Sequence, residues 1–217
     1  MSGHGKPYPA LPPILLLRHG HARWNAERRY LGWTDQPLLQ DGAEQLAAAR
    51  LYLQRRRLAG IHCSDLLRAR QTLALVRPDA GEAPRYDKRL RELHFGGWEG
   101  LTYEELRHDP AYRLWLTDPE LASPPGGESF AAFRGRVVSW LDELEGAVRL
   151  GELGSRLSHS LDAQERREEP PLLVVAHGGT IRMLATLLVP ELAFWEIDIP
   201  TGGLLSLSAG NPPVQLV

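Results

Sequence analysis

The sequence predicts an α/β fold: a three-layer sandwich with a mostly parallel central sheet, flanked by helices, and a small helical insert over the strand ends. Three observations point there. Short apolar runs alternate with amphipathic helical stretches along the 217 residues, the pattern of βαβ units. Two of those runs, Ile14-Leu15-Leu16-Leu17 and Leu172-Leu173-Val174-Val175-Ala176, lack polar alternation and read as strands buried on both faces. Each is followed at once by a histidine and glycine, Arg18-His19-Gly20 and His177-Gly178. In open α/β sheets, ligands bind outside the carboxyl ends of the strands.

The elements follow in order. Met1 to Pro13 holds Pro7, Pro9, Pro12 and Pro13 without an apolar stretch, so it reads as a flexible arm and not as a signal peptide. Residues 14–217 read as one domain, with no internal repeat and no linker. Ile14–Leu17 is the first strand. Gly20 to Asp41 is long, polar and aromatic-rich, with Trp24, Tyr30 and Trp33, the profile of a functional loop. Gly42 to Arg57 carries Leu46, Ala49 and Leu53 at helical spacing, and Arg55-Arg56-Arg57 suits a helix end, where cations meet the macrodipole. Ile61-His62-Cys63 is a short strand. Asp65 to Val76 is a helix capped by Ser64 or Asp65, with Pro78 beyond its end. A third strand falls near Tyr86.

Leu90 to Pro125, with Trp98, Tyr103, Tyr112 and Trp115, reads as short helical pieces, and the insert is placed at about 93–125. Pro124-Pro125-Gly126-Gly127 breaks the chain. Glu128 to Leu150 is a long helix, with Phe133, Val137, Trp140, Leu141 and Leu144 spaced at three and four. Gly151 to Pro170 is a polar surface loop or loose helix. Leu172–Ala176 is a strand, Gly179 to Leu188 a helix stopped by Pro190, and Leu204 to Leu207 the last edge strand.

Composition removes several function classes. Hydrophobic residues at 43% and charged residues at 24% are ordinary globular values. A net charge of -2 argues against nucleic acid as a partner. No apolar run approaches the ~18 residues a membrane span requires, so no membrane partner is expected. The single cysteine, Cys63, reads as a buried, inert thiol, and one cysteine is compatible with a reducing cytoplasm.

Two histidines and an arginine at one sheet edge are the parts needed to receive a phosphoryl group. A neutral imidazole attacks phosphorus to give a phosphohistidine. Phosphoryl transfer then requires in-line positioning and positive charge around the equatorial oxygens, which an arginine fork supplies. Arg68, in the first turn of its helix, opposes the macrodipole, and a phosphate at that helix end would account for it. Glu92, ahead of Gly96-Gly97, is a partly buried carboxyl suited to general-acid work on a leaving alkoxide. His94 and His108 read as surface or pocket-rim groups. His19-Gly20-His21 also leaves a metal hydrolase open, as an H-x-H pair, though Ala22, Arg23 and Trp24 supply no third ligand. A binding protein that kept the fold without the activity is the third reading.

These segments, taken together, resemble the histidine phosphatase superfamily, the phosphoglycerate-mutase-like group. The resemblance runs from Ile14 to about Leu207. It rests on Leu17-Arg18-His19-Gly20, Trp24-Asn25, Gly32-Trp33-Thr34-Asp35 with Pro37-Leu38 and Gly42, Ser64-Asp65-Leu66-Leu67-Arg68-Ala69 with Thr72, Arg91-Glu92 with Phe95-Gly96 and Trp98-Glu99-Gly100, and His177-Gly178-Gly179. It implies His19 as the phosphorylated nucleophile and Arg18, Arg68, His177 and Asn25 around the phosphate. Glu92 would protonate the leaving oxygen and then deprotonate water, and the Gly178 amide would be a further donor. It implies no metal or nucleotide cofactor, a small-molecule phosphate ester as substrate, and allows a homodimer through an edge strand. One departure stands out. The family commonly places a hydroxyl two residues after Gly20 and an acid before it, whereas this chain has His21-Ala22.

Within that group, Gly179-Thr180 after the last His-Gly and a short insert favour a phosphatase over a cofactor-dependent phosphoglycerate mutase. Pro124 to Ser129 resembles the branch of bacterial α-ribazole-phosphate phosphatases and their broad-specificity relatives. A phosphomonoester hydrolase acting through phosphohistidine is the expectation, with a mutase or a catalytically weak member as alternatives.

Overall fold

Alternation along each central strand sends successive side chains to opposite faces of one sheet, and both faces are covered. The computed structural model describes residues 8–78, 83–151 and 169–217. Its sheet has six strands: β1 (Ile14–Arg18), β2 (Gly60–Cys63), β3 (Arg85–Tyr86), β4 (Leu172–Ala176), β5 (Leu204–Ser208) and β6 (Asn211–Gln215). The order is β3-β2-β4-β1-β5-β6. Pairings from β3 through β1 are parallel; β5 and β6 join antiparallel. Ile14, Leu16, Leu172 and Val174 pack into one apolar cluster, while Leu15, Leu17, Leu173 and Val175 pack into the other. All eight are buried, each contributing ~1.5–3 kcal/mol on burial.

Eight α-helices are assigned among the described residues: α1 (Arg23–Ala26), α2 (Gln40–Gln45), α3 (Ala47–Leu53), α4 (Leu67–Val76), α5 (Tyr103–Leu106), α6 (Pro110–Thr117), α7 (Phe130–Arg149) and α8 (Gly178–Leu188). Leu46, Leu53, Leu73 and Val76 bring α3 and α4 to one face of the sheet. Phe133, Trp140, Leu144, Ile181 and Leu184 bring α7 and α8 to the other, with Trp98, Tyr112 and Trp115 beside them. No helix among the described residues is long and apolar enough to cross a membrane.

Several expected boundaries move, each for a local reason. The helix expected over 42–57 is two helices meeting at Leu46, and it ends at Leu53. Arg55, Arg56 and Arg57 therefore lie beyond it, with Arg56 4.0 Å from the centroid of the Tyr52 ring. Neither Ser64 nor Asp65 is the cap of α4. Its N-cap is Leu66, and the Leu67 N–H donates instead to Asp35 Oδ1 at 2.7 Å, across the loop. The long helix starts at Phe130, because Ser129 Oγ caps it by accepting from Ala132 N at 3.1 Å. Glu128 is left outside to pair with Arg136 at 2.7 Å.

Strand β5 is not the edge. Asn211-Pro212-Pro213 looks unlike a strand because proline brings no N–H, yet an edge strand tolerates it. The arm is not free over its last residues: Tyr8 is 2% exposed and donates to Asp142 Oδ1 at 3.3 Å. Residues 1–7 of the expected arm lie outside the described residues, as do residues 152–168 of the expected loop at 151–170.

Candidate active site

Parallel register aligns the carboxyl ends of β1 and β4, Arg18 opposite Ala176, so the residues that follow each strand emerge together. The rings of His19 and His177 lie 5.0 Å apart between centroids. The His19 N–H binds the Ala176 carbonyl at 3.1 Å, which ties the two strand ends directly. Two residues separated by most of the chain thus become neighbours through sheet register.

His19 is held in one tautomer. Its Nδ1 lies 2.7 Å from the Gly20 carbonyl, which can only accept, so Nδ1 carries the proton and Nε2 presents a lone pair. Arg68 Nε donates to that Nε2 at 3.3 Å. Burial, then Arg68 and Arg18, hold the His19 ring well below the ordinary histidine pKa. His19 is therefore neutral near pH 7, the state a nucleophile requires.

Arg68 is fully buried and fixed by the loop expected to be functional. Its Nη2 donates to Gly32 O at 2.7 Å and its Nη1 to Thr34 O at 3.1 Å. Burial lowers its pKa to about 10, which leaves it charged at neutrality. The Gly-Trp-Thr-Asp loop is itself pinned by Glu99, whose Oε1 accepts from Trp33 N and whose Oε2 accepts from Thr34 N, both at 2.8 Å. Gly32 cannot carry a side chain: a Cβ there would lie 2.4 Å from Glu99 Oε1.

Glu92 reaches the same strand ends from the opposite side. Its Oε2 accepts from Gly179 N and its Oε1 from Leu93 N, each at 2.9 Å. The amide that engages the carboxylate is that of Gly179, next to the Gly178 named from sequence. Three contacts fix the Glu92 segment. Arg136 Nη2 and Trp33 Nε1 donate to Glu92 O at 2.8 Å, and Arg136 Nη1 donates to Arg91 O at 2.7 Å. Arg91 forms a two-armed pair with Asp65 at 2.7 and 2.6 Å.

Arg18 Nη1 donates to Ile199 O at 2.6 Å, and its Nε is buried with no partner among the described residues. His177 Nε2 lies 2.8 Å from Ser64 Oγ, and its Nδ1 is likewise buried without a partner. Burial, then Arg68 and His19, keep the His177 pKa well below the ordinary value. A guanidinium N–H and a ring nitrogen left without partners at one sheet edge are costly unless a ligand meets them.

Asn25 stands somewhat apart. Its Oδ1 accepts from Ala22 N at 3.2 Å, and it lines a cavity of about 410 Å³ with Arg18, His21 and Arg28. His21 Nδ1 is 2.6 Å from Gln45 Nε2, and no group of three His, Cys, Asp or Glu side chains is placed to hold a metal among the described residues. His94 packs against Trp33 with centroids 4.8 Å apart and planes tilted by 33°, and His108 accepts from Arg107 at 3.1 Å. Cys63 is buried, and burial pushes its thiol pKa up.

Sequence reasoning gave Ser64 only a capping role and assigned none to Glu99 or Arg136. Ser64 and Glu99 lay inside quoted motifs, and their motif positions were the available signal. Arg136 gave none, since its three carbonyl acceptors are backbone atoms of a distant segment.

The sequence profile of the histidine phosphatase superfamily (branch 1) matches residues 14–216. The chain belongs to that superfamily. A glucosyl-3-phosphoglycerate phosphatase of Mycolicibacterium vanbaalenii is 33% identical over 177 residues, 81% of this chain and 73% of that one. An adenosylcobalamin/alpha-ribazole phosphatase of Salmonella typhimurium is 30% identical over 193 residues, 87% of this chain and 86% of that one. The crystal structure of the alpha-ribazole phosphatase from Shigella flexneri superposes with a TM-score of 0.72 at 25% identity, covering 89% of each chain. The reaction class these relatives share, phosphatase, is that of this chain.

Proposed function

We propose that this protein hydrolyses a small phosphomonoester in two steps, through a phosphohistidine at His19. The observation that carries the reading is the pairing of the His19 Nε2 lone pair, held beside Arg68 Nε, with unpartnered nitrogens on Arg18 and His177. In this reading the Ser64 hydroxyl, 2.8 Å from His177 Nε2, donates to it, which leaves the ring proton on Nδ1 for a phosphate oxygen. Arg18 and Arg68 supply charge to the same oxygens.

In the first step the His19 Nε2–P bond forms as the P–O ester bond breaks, and Glu92 gives its proton to the departing alcohol. In the second, water oxygen attacks phosphorus and gives a proton to Glu92. The N–P bond breaks, releasing phosphate and restoring both residues. Asn25 borders the phosphate from the Arg18 side. The helical segment at 93–125 borders the leaving group. The work is placed in the cytoplasm, on a soluble metabolite, with no metal in any step.

Phosphate release from a panel of esters, with EDTA present, tests this. Release is expected from the native protein, unaffected by EDTA, with a loss of at least ~10³-fold in His19→Ala at unchanged circular dichroism. Turnover by His19→Ala within tenfold of native removes the nucleophile assignment.

A further inference from the structure

A second cavity opens on the other side of Arg18, of about 230 Å³, and it differs in kind from the polar one beside Asn25. Its floor is the catalytic edge: Arg18, Glu92, Gly178 and Gly179. Its walls are rings, from Tyr30, Phe95, Trp115, Phe130, Phe194 and Trp195. Their mutual geometry is edge-to-face. Phe130 and Phe194 are 5.1 Å apart at 81°, Phe194 and Trp195 4.8 Å at 87°, and Trp115 and Trp195 6.0 Å at 84°. Such packing leaves ring faces and edges available to a further ring.

The walls offer few groups to a polyol. The Tyr30 hydroxyl is spent on Tyr112 Oη at 2.5 Å. Both Glu92 oxygens accept from backbone amides, and Arg182 Nε is engaged by Ile197 O at 2.8 Å. Hydroxyl groups set among the rings, away from the Arg18 and Arg182 guanidinium groups, would be stripped of water without partners, which is costly. The Arg182 guanidinium lies 5.9 Å from the Trp195 ring centroid, so a cation already stands at the π-rich rim. Trp195 is 51% exposed at the cavity mouth, where its contacts with Phe194, Trp115 and Arg182 leave apolar ring surface open. A volume below that of pockets enclosing whole drug-sized ligands suits one part of a substrate.

We propose that this cavity seats an aromatic ring carried by the leaving alcohol. The preferred substrate class is then a phosphomonoester of an aromatic-bearing alcohol, such as a nucleoside-like heterocycle. The proposal rests on the phosphatase reading above, because Glu92 marks the cavity as the leaving-group side.

The test uses esters whose leaving alcohols differ little in acidity: benzyl phosphate, cyclohexylmethyl phosphate and glycerol phosphate. The native protein should favour benzyl over cyclohexylmethyl phosphate by roughly 5-fold in kcat/KM, and over glycerol phosphate by more. Trp195→Ala should reduce the benzyl-to-glycerol ratio about 5-fold, and Trp195→Phe should restore most of it. Equal rates for benzyl and cyclohexylmethyl esters, a preference for glycerol phosphate, or an unchanged ratio in Trp195→Ala overturns the proposal. Absence of release from all three esters, or release that survives in His19→Ala, overturns the phosphatase reading instead.

Discussion

The two sides of the site are built by different physics. On the strand-end side, His19, Arg68 and His177 are buried and set by hydrogen bonds to backbone and hydroxyl groups. On the helical side, the walls are aromatic rings held by packing, with one hydroxyl pair among them. Hydrogen bonds fix direction to within a narrow angle, which chemistry at phosphorus requires. Ring packing is non-directional and tolerates exchange of one shape for another. In the proposed function, reaction type then belongs to the first region and substrate choice to the second. Glu92 joins them, since its carboxylate binds the α8 terminus while its backbone is clamped by Arg136 and Trp33.

The largest effect expected at that junction comes from Glu92→Gln. The amide keeps the shape but cannot deliver a proton, so kcat should fall ~10²–10⁴-fold for alkyl esters while KM changes little. A nitrophenyl ester, whose leaving group needs no proton, should lose far less. Equal losses for both ester types would make Glu92 a positioning residue and move it to the strand-end side of the comparison.

Gly179→Ala should come next. A Cβ at Gly179 would stand 2.3 Å from Glu92 Oε1, so the carboxylate must move. A displacement on the scale of an ångström costs about 10²-fold in kcat. Gly178→Ala is the milder partner, because its Cβ would meet Arg18 Cζ at 3.3 Å. If the two variants lose equally, the carboxylate's exact seat is not what limits the rate.

Legibility in the sequence followed the same division. Strand ends were readable because an uninterrupted apolar run and a following His-Gly are local signals, and β1 and β4 carry both. Arg68 was readable as an anomaly, a cation at a helix start, though loop carbonyls and His19 account for much of its placement. What could not be read was whatever depends on partners far along the chain. The Arg136 clamp spans more than forty residues to backbone atoms that have no side-chain signature. The aromatics of the helical segment looked mostly like core, and Trp98, Tyr112 and Trp115 are buried; only the fold shows that Trp115 also lines the cavity, beside Trp195 from a distant segment. Strand β6 was hidden because its prolines obey the rules of an edge, which the local pattern does not announce.

The smallest effect separates folding from reaction. His62 is the penultimate residue of β2, but its ring packs into the interior, where Nδ1 accepts from Trp140 Nε1 at 3.2 Å. Burial, then Arg85, lowers its pKa from 6.5 to about 4. The unfolded chain takes up this proton near pH 6.5 and the folded chain only near pH 4. Stability is therefore complete above pH 6.5 and is lost as pH falls from there toward 4. For His62 alone the loss between pH 7 and pH 5 is on the order of 2 kcal/mol, and His19 and His177 shift in the same direction. Urea midpoints at the two pH values measure the total. His62→Gln keeps an acceptor for Trp140 but cannot titrate, so it should flatten the pH dependence by about that amount while leaving the pH profile of kcat as in the native protein. A variant that shifts the kcat profile would tie His62 to the strand-end histidines and break the separation between the packed sheet interior and its reactive edge.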